Sequence, residues 1–252
     1  MADQNIDKKM SRRRFIRNSS YVAGGLVGGG LIGGLIGSNL SNDNKDESGT
    51  KGQQHENTAY QQAPLYFTNP EIFAILVAAT DRIFPEDETG PGANDLGVPF
   101  FIDHQLAGSW GNNTREYMQG PFFPGSNFQG YQSPLKRHEV FDAGLQAIQK
   151  YSNEKFDSNF AELEGEQQDE ILTAFQKDEV KIHGVTSKTF FNILRQATIE
   201  GVYADPAYGG NINMDGWKMK GFPGHQMSYH GQIESDEFIE IEPNSLHSYT
   251  NK

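Results

Sequence analysis

Cysteine is absent from all 252 residues. Its absence removes disulfides, thiolate metal sites, iron–sulfur ligation, thioether-linked haem and cysteine nucleophiles together. The compartment stays open, because an exported protein with an adequate core needs no disulfides. Catalytic signatures are missing too: no G-x-x-x-x-G-K-[ST], H-E-x-x-H or G-x-S-x-G occurs. The glycine-rich run 24–37 is no dinucleotide loop, since basic residues precede it rather than a strand. Repeated strand–helix units are lacking, which argues against a doubly wound sheet. Basic charge is scarce over most of the chain. Residues 1–40 hold six Lys/Arg and two acids, a net of +4, while the whole chain is −12, so residues 41–252 carry −16. An acidic body argues against nucleic acid as a partner, because such binding leans on phosphate neutralisation.

What is present begins with a sharply marked N-terminus. Residues 11–17 read SRRRFIR, and the stretch 21–37 that follows has no charge and eight glycines. A basic segment ahead of a weakly apolar one reads as a cytoplasmic flank followed by a membrane-entering segment. Ser11 to Arg17, with Arg12, Arg13 and Phe15 at the key places, resembles the twin-arginine export motif S-R-R-x-F-L-K. That resemblance implies a twin-arginine translocase as transient partner and export of a folded protein across the cytoplasmic membrane, to its outer face or the periplasm. No Ala-x-Ala follows the run, so cleavage and retention as an N-terminal anchor both stay open. Residues 41–65 are polar and poor in apolar side chains; little offsets the entropy of ordering them, and they read as a flexible linker. The folded body is expected over 66–230, with an acidic extension over 231–252.

Within the body the periodicity is helical. Thr68 or Asn69 can cap a helix that Pro70 opens and Pro85 ends. Ile72, Leu76, Ala79 and Ile83 form one apolar stripe and Phe73, Val77, Thr80 and Phe84 the next. Further helices are expected over 99–107, 134–151, 156–163 and 166–178. A long one is expected from Ser187 to Glu200, with Gly201 just beyond its end. Residues 108–133 form a long aromatic loop whose Trp110, Tyr117, Phe122, Phe123, Phe128 and Tyr131 should pack on the bundle or on a partner. The expected fold is therefore mainly α, an irregular helical bundle with long Gly/Pro/aromatic loops.

Candidates for chemistry are thin. The seven histidines show no i,i+4 pair within a helix, and no metal site is expected. Asp103, His104, Glu200 and Asp205 are the candidate acid–base groups, and Glu200 with Asp205 could make a paired-carboxylate site. The plainer reading has Asp205 capping the turn at Pro206 and Glu200 accepting bonds from loop amides.

Three stretches together resemble the gluconate 2-dehydrogenase subunit 3 family. The first is residues 79–103, with Ile83–Phe84–Pro85, Gly90–Pro91–Gly92–Ala93 and Gly97–Val98. The second is Gly120–Pro121–Phe122 after Tyr117. The third, residues 200–224, matches E-G-x-x-x-D-P-x-Y-G-G-N followed by G-W and F-P-G. The resemblance implies a mainly helical, non-catalytic small subunit that holds no cofactor of its own. It also implies an FAD-bearing large dehydrogenase subunit as partner, and a haem-carrying cytochrome c subunit where one is present. Pro91, Gly92, Glu200, Asp205, Pro206, Tyr208, Gly209, Gly210, Trp217 and Phe222 are then the structural or interface residues. Tyr208, Trp217 and Phe222 should pin the 200–224 loop to the bundle. Two other classes remain beside this one: a stand-alone exported membrane- or wall-associated structural protein, and an independent exported enzyme using Glu200 and Asp205.

Overall fold

A computed structural model describes residues 62–247 apart from 124, 127, 128, 130, 131 and 238. Arg12, Arg13 and Phe15 lie outside the described residues, as do Phe128 and Tyr131. The fold is an irregular helical bundle, with no β-sheet among the described residues. Among the described residues six α-helices follow in order: α1 (Pro70–Ile83), α2 (Val98–Ala107), α3 (Arg137–Phe156), α4 (Gly165–Gln176), α5 (Ser187–Tyr203) and α6 (Asp215–Lys220).

Local chemistry sets most of the boundaries. Asn69 caps α1 by accepting from the Glu71 N–H at 2.9 Å, and Pro70 takes the first helical position. The helix stops at Ile83 because Pro85 disfavours a helical Phe84 (φ −133°, ψ 78°). Its inward face is Ile75, Leu76, Ala79 and Thr80. The face is thus turned toward Ile75, and Ile72, Phe73, Val77, Ile83 and Phe84 of the expected stripes are only partly buried. The third helix starts at Arg137 rather than Pro134, where the Lys136 N–H donates to Glu139 at 2.7 Å.

α5 corrects two expectations. Its cap is Thr186, not Ser187: the extended Thr186 (φ −78°, ψ 147°) accepts from the Thr189 N–H at 3.1 Å. Ser187 is the first helical residue and donates instead to Asp178 at 3.1 Å. The helix also runs through Gly201 to Tyr203. It ends where Asp205–Pro206 forces extended backbone, so proline rather than glycine terminates it.

α5 packs against α1, α2, α3 and α4, which makes it the central element. Around it the aromatic rings meet edge to face: Trp110 with Phe141 at 6.0 Å, Phe141 with Phe190 at 5.8 Å, Phe190 with Phe175 at 6.0 Å. Each such pair adds about 0.5–1.5 kcal/mol beyond its area burial. The long loop divides accordingly. Trp110 packs on the core, whereas Tyr117 and Phe123 are 79% and 69% exposed. Arg82 and Asp169 form a two-pronged pair at 2.9 and 2.8 Å that ties α1 to α4.

Asp103, a candidate acid–base group, is fully buried in α2 and has a structural role. Its carboxylate accepts the backbone N–H groups of Leu65, Tyr66 (3.1 Å) and Phe67 (2.8 Å). His104 lies beside Ala63, its Nε2 2.9 Å from that carbonyl. Tyr66 continues the anchor by donating to Asp142 on α3 at 2.6 Å. The segment leading into α1 is therefore fastened to α2 and α3, and these contacts had no signal in the sequence period.

Candidate functional site: two interlocked loops and a groove

The first and third sequence motifs, more than a hundred residues apart, form one structural unit. The loop between α1 and α2 lies against the chain that leaves α5. The Ile212 N–H donates to the Leu96 carbonyl at 3.2 Å. A side-chain carbon added at Gly97 would stand 2.7 Å from Ile212, and one added at Gly90 only 2.3 Å from the Met219 sulfur. Phe84 meets Tyr203 edge to face at 6.4 Å. Pro91 is partly buried, and Gly92 is buried against the backbone N–H of Glu86. Asn94 and Asp95 are exposed on this loop.

Asn211 holds the second half together. It is fully buried at φ 48°, a left-handed conformation that asparagine tolerates better than most residues. Its amide donates to the Ala204 carbonyl and its side-chain oxygen accepts the Gly216 N–H, both at 2.8 Å. One side chain thus bridges the end of α5 and the start of α6. Asn213 and Met214 also have positive φ, 57° and 59°. Three left-handed non-glycine residues within four positions mark a segment held by its surroundings, and such segments concentrate at functional surfaces.

Gly201 and Gly210 are explained by close approach. An added carbon at Gly201 would meet Phe101 at 2.8 Å and Val98 at 3.0 Å, and one at Gly210 would meet the Gly201 carbonyl oxygen at 2.4 Å. Hydrogen at Gly201 lets α2 lie on α5, and hydrogen at Gly210 lets the returning loop lie on the α5 backbone. Gly209 turns the chain just before, at φ 92°.

Trp217 is buried and donates its indole N–H to the Tyr203 carbonyl at 2.8 Å; its ring meets Phe222 at 5.4 Å. It pins the loop from inside, as expected. Tyr208 and Phe222 differ from expectation. They are 54% and 48% exposed, because the turn Pro206–Tyr208 and the end of α6 carry them outward. Glu200 also differs: it is exposed and accepts from Gln196 at 2.9 Å, one helical turn back, not from loop amides.

Glu200, Asp205 and Tyr208 border an open groove of about 610 Å³ whose inner surface is Phe101, Ile199 and Tyr203, with Gln105 at its side. The two carboxylates share the groove and have separate hydrogen-bond partners, Glu200 taking Gln196 on its own helix. Asp205 is engaged with the chain itself: it accepts the Ala207 N–H at 2.9 Å, the Ser245 hydroxyl at 2.7 Å and the Leu246 N–H at 2.9 Å. The first bond is the expected turn cap. The other two reach forty residues ahead, and no local pattern announces them. The arrangement suits holding and docking. Among the described residues no group of three His, Cys, Asp or Glu is placed to hold a metal ion, and no helix is long and apolar enough to cross a membrane.

The second motif is elsewhere, on the loop after Trp110, with a cis bond between Gly120 and Pro121. It is not brought to the groove by any contact described above. No curated protein and no solved structure matches the chain. A family model described as gluconate 2-dehydrogenase subunit 3 matches residues 70–224. The match begins at the first residue of α1 and ends at Gly224, so it takes in the whole bundle and all three motifs over more than half of the chain. The chain belongs to the gluconate 2-dehydrogenase subunit 3 family.

Proposed function

We propose that the chain is the non-catalytic small subunit of a membrane-associated, FAD-dependent sugar or sugar-acid dehydrogenase complex. The flavin-bearing large subunit does the oxidation, and this chain supports its assembly and export. A cytochrome c subunit carries haem where one is present. The observation that supports the reading most is the family match over residues 70–224, coupled to a site whose carboxylates are engaged within the chain, Asp205 with Ala207, Ser245 and Leu246 and Glu200 with Gln196. The segment SRRRFIR at 11–17 supplies the address: the twin-arginine translocase moves folded cargo, so one signal serves the subunit and a signal-less partner bound to it. The complex then works on the outer face of the cytoplasmic membrane or in the periplasm. In this reading the polar stretch 41–65 joins the export signal to the folded domain 66–230, its last residues Ala63 and Leu65 already held on α2, and 231–252 is an acidic extension of that domain.

Co-production with the flavin-bearing subunit tests it. The two chains should co-purify with flavin in the large subunit only, and the isolated small subunit should be colourless and inactive. Replacing Arg12 and Arg13 by Lys should leave both chains in the cytoplasm with the fold unchanged. A stoichiometric flavin on the isolated chain, or export of the large subunit without it, would refute the reading. Trp217→Ala should lower the melting temperature of the isolated subunit, since truncating a buried Trp costs about 3–5 kcal/mol, and should weaken co-purification to a smaller degree.

A further inference from the structure

The family match ends at Gly224, yet the chain beyond it returns to the groove. The His225 N–H donates to the Asn244 carbonyl at 2.6 Å, the Asn244 N–H donates to Pro223 at 3.2 Å, and Ser245 and Leu246 bind Asp205. Residues 225–244 therefore form a loop closed at its base, and that base is fastened to the groove's own rim residue. The loop is not a trailing tail.

Its surface has two properties. Of the ten large apolar side chains exposed among the described residues, seven fall between 208 and 246, including Met227 and Ile233, each 74% exposed. Apolar exposure concentrated in one segment in this way favours an interaction surface, whereas singly scattered exposed apolar residues need no explanation. Second, Glu234, Asp236, Glu237, Glu240 and Glu242 fall within nine residues, and no Lys or Arg occurs between 221 and 247. The groove itself is lined by two further carboxylates, Glu200 and Asp205. Desolvating these groups against a neutral or anionic partner would be unfavourable, so the fitting occupant is cationic as well as apolar. The same charge repels anionic lipid and nucleic acid.

We propose that the groove and the closed loop 225–244 form one docking face for a Lys/Arg-bearing apolar segment of the partner dehydrogenase subunit. Tyr208 and the groove take an apolar side chain, and the carboxylates of the loop steer the cations around it. Asp205 couples the two halves, because the same carboxylate lines the groove and holds the base of the loop. This rests on the small-subunit reading above and adds to it the site and the chemistry of the contact.

The two halves predict different kinetic effects, which the full chain and the flavin-bearing subunit can report. One variant converts the loop carboxylates to amides (E234Q, D236N, E237Q, E240Q, E242Q); the other is Tyr208→Ala. All six positions are exposed, so native melting temperatures are expected and are checked. Neutralising the loop should slow association about ten-fold at low salt and flatten its salt dependence, with dissociation near native. Tyr208→Ala should speed dissociation about ten-fold with association unchanged, as loss of a groove anchor does. Native rates in both variants, with the native pair binding normally, overturn the docking face and leave the small-subunit reading standing. If the native chain does not bind the flavin-bearing subunit at all, the small-subunit reading itself falls. A dimer of the isolated chain that Tyr208→Ala dissolves assigns the face to a second copy and also overturns the proposal.

Discussion

Asn211 offers the sharpest test of how the interlocked loops are held. Asn211→Ala removes both side-chain bonds at once. The Gly216 N–H is buried, so leaving it unpaired costs about 1–3 kcal/mol. Ala204 is half-buried and its carbonyl can recruit water, which puts that loss near about 1 kcal/mol. Alanine held at φ 48° adds about 1–2 kcal/mol of left-handed strain. Together these come to about 3–6 kcal/mol. For a body of this size each kcal/mol moves the melting temperature by about 2–4 °C, so thermal denaturation should show a fall of at least about 6 °C. Asn211→Gly separates the contributions. It loses the same two bonds but adopts positive φ without strain, so it should be milder than alanine by about 1–2 kcal/mol. Asn211→Asp keeps the acceptor for Gly216, but it sets an oxygen against the Ala204 carbonyl and buries a charge; it should be at least as harmful as glycine. If alanine and glycine variants melted within about 2 °C of the native chain, the bridging role would be wrong; if glycine were the worse of the two, the strain contribution would be.

Gly201→Ala should lower the melting temperature even though alanine favours a helix interior by about 1 kcal/mol, because Phe101 and Val98 must move; a rise would show that the helix–helix contact yields freely. Gly210→Ala should be worse, since its neighbour is the Gly201 backbone carbonyl and cannot rotate away. Asp103→Ala should free the backbone of Leu65, Tyr66 and Phe67 and make limited proteolysis near 62–67 faster; an unchanged cleavage pattern would count against the anchor. Burial pushes the Asp81 carboxyl above its ordinary 3.8; Arg82 opposes the shift, and Asp95 and Glu86 add to it. A folded-state value raised in this way gives stability that is complete below the unfolded pKa and lost as pH rises through the folded one. Asp81→Asn should therefore raise the melting temperature at neutral pH, and that gain should fade as the solution is acidified through the carboxylate range; a gain independent of pH would refute the assignment.

How much of this was legible depends on whether a residue's reason lies along the chain or across the fold. Asn69, Pro70 and Pro85 act on their immediate neighbours, so the extent of the first helix was readable but for the choice between Thr68 and Asn69 as its cap. Phe141, Phe175 and Phe190 each stand four residues from an apolar residue of their own helix, Leu145, Ile171 and Leu194, so helical period accounts for their burial. Trp217 and Asn211 were visible as residues, because a dense run of turns must find partners for its backbone groups. Which carbonyl the indole N–H reaches was not. Gly201 shows why. After a long apolar helix a glycine has two good explanations, a left-handed stop or a close neighbour, and both leave the same letter. What decides between them is Phe101 and Val98 on α2, a hundred residues away. Asp205 carries the same ambiguity further. Before a proline it reads as a turn cap, and it is one. Yet its remaining hydrogen-bonding capacity goes to Ser245 and Leu246, in a stretch outside the family's span and without any periodic pattern. A residue with a sufficient local role gives no sign of a second, distant one. That second role decides the functional argument: it fastens the base of the acidic loop to a residue that lines the groove, and this is the link on which the proposed docking face rests.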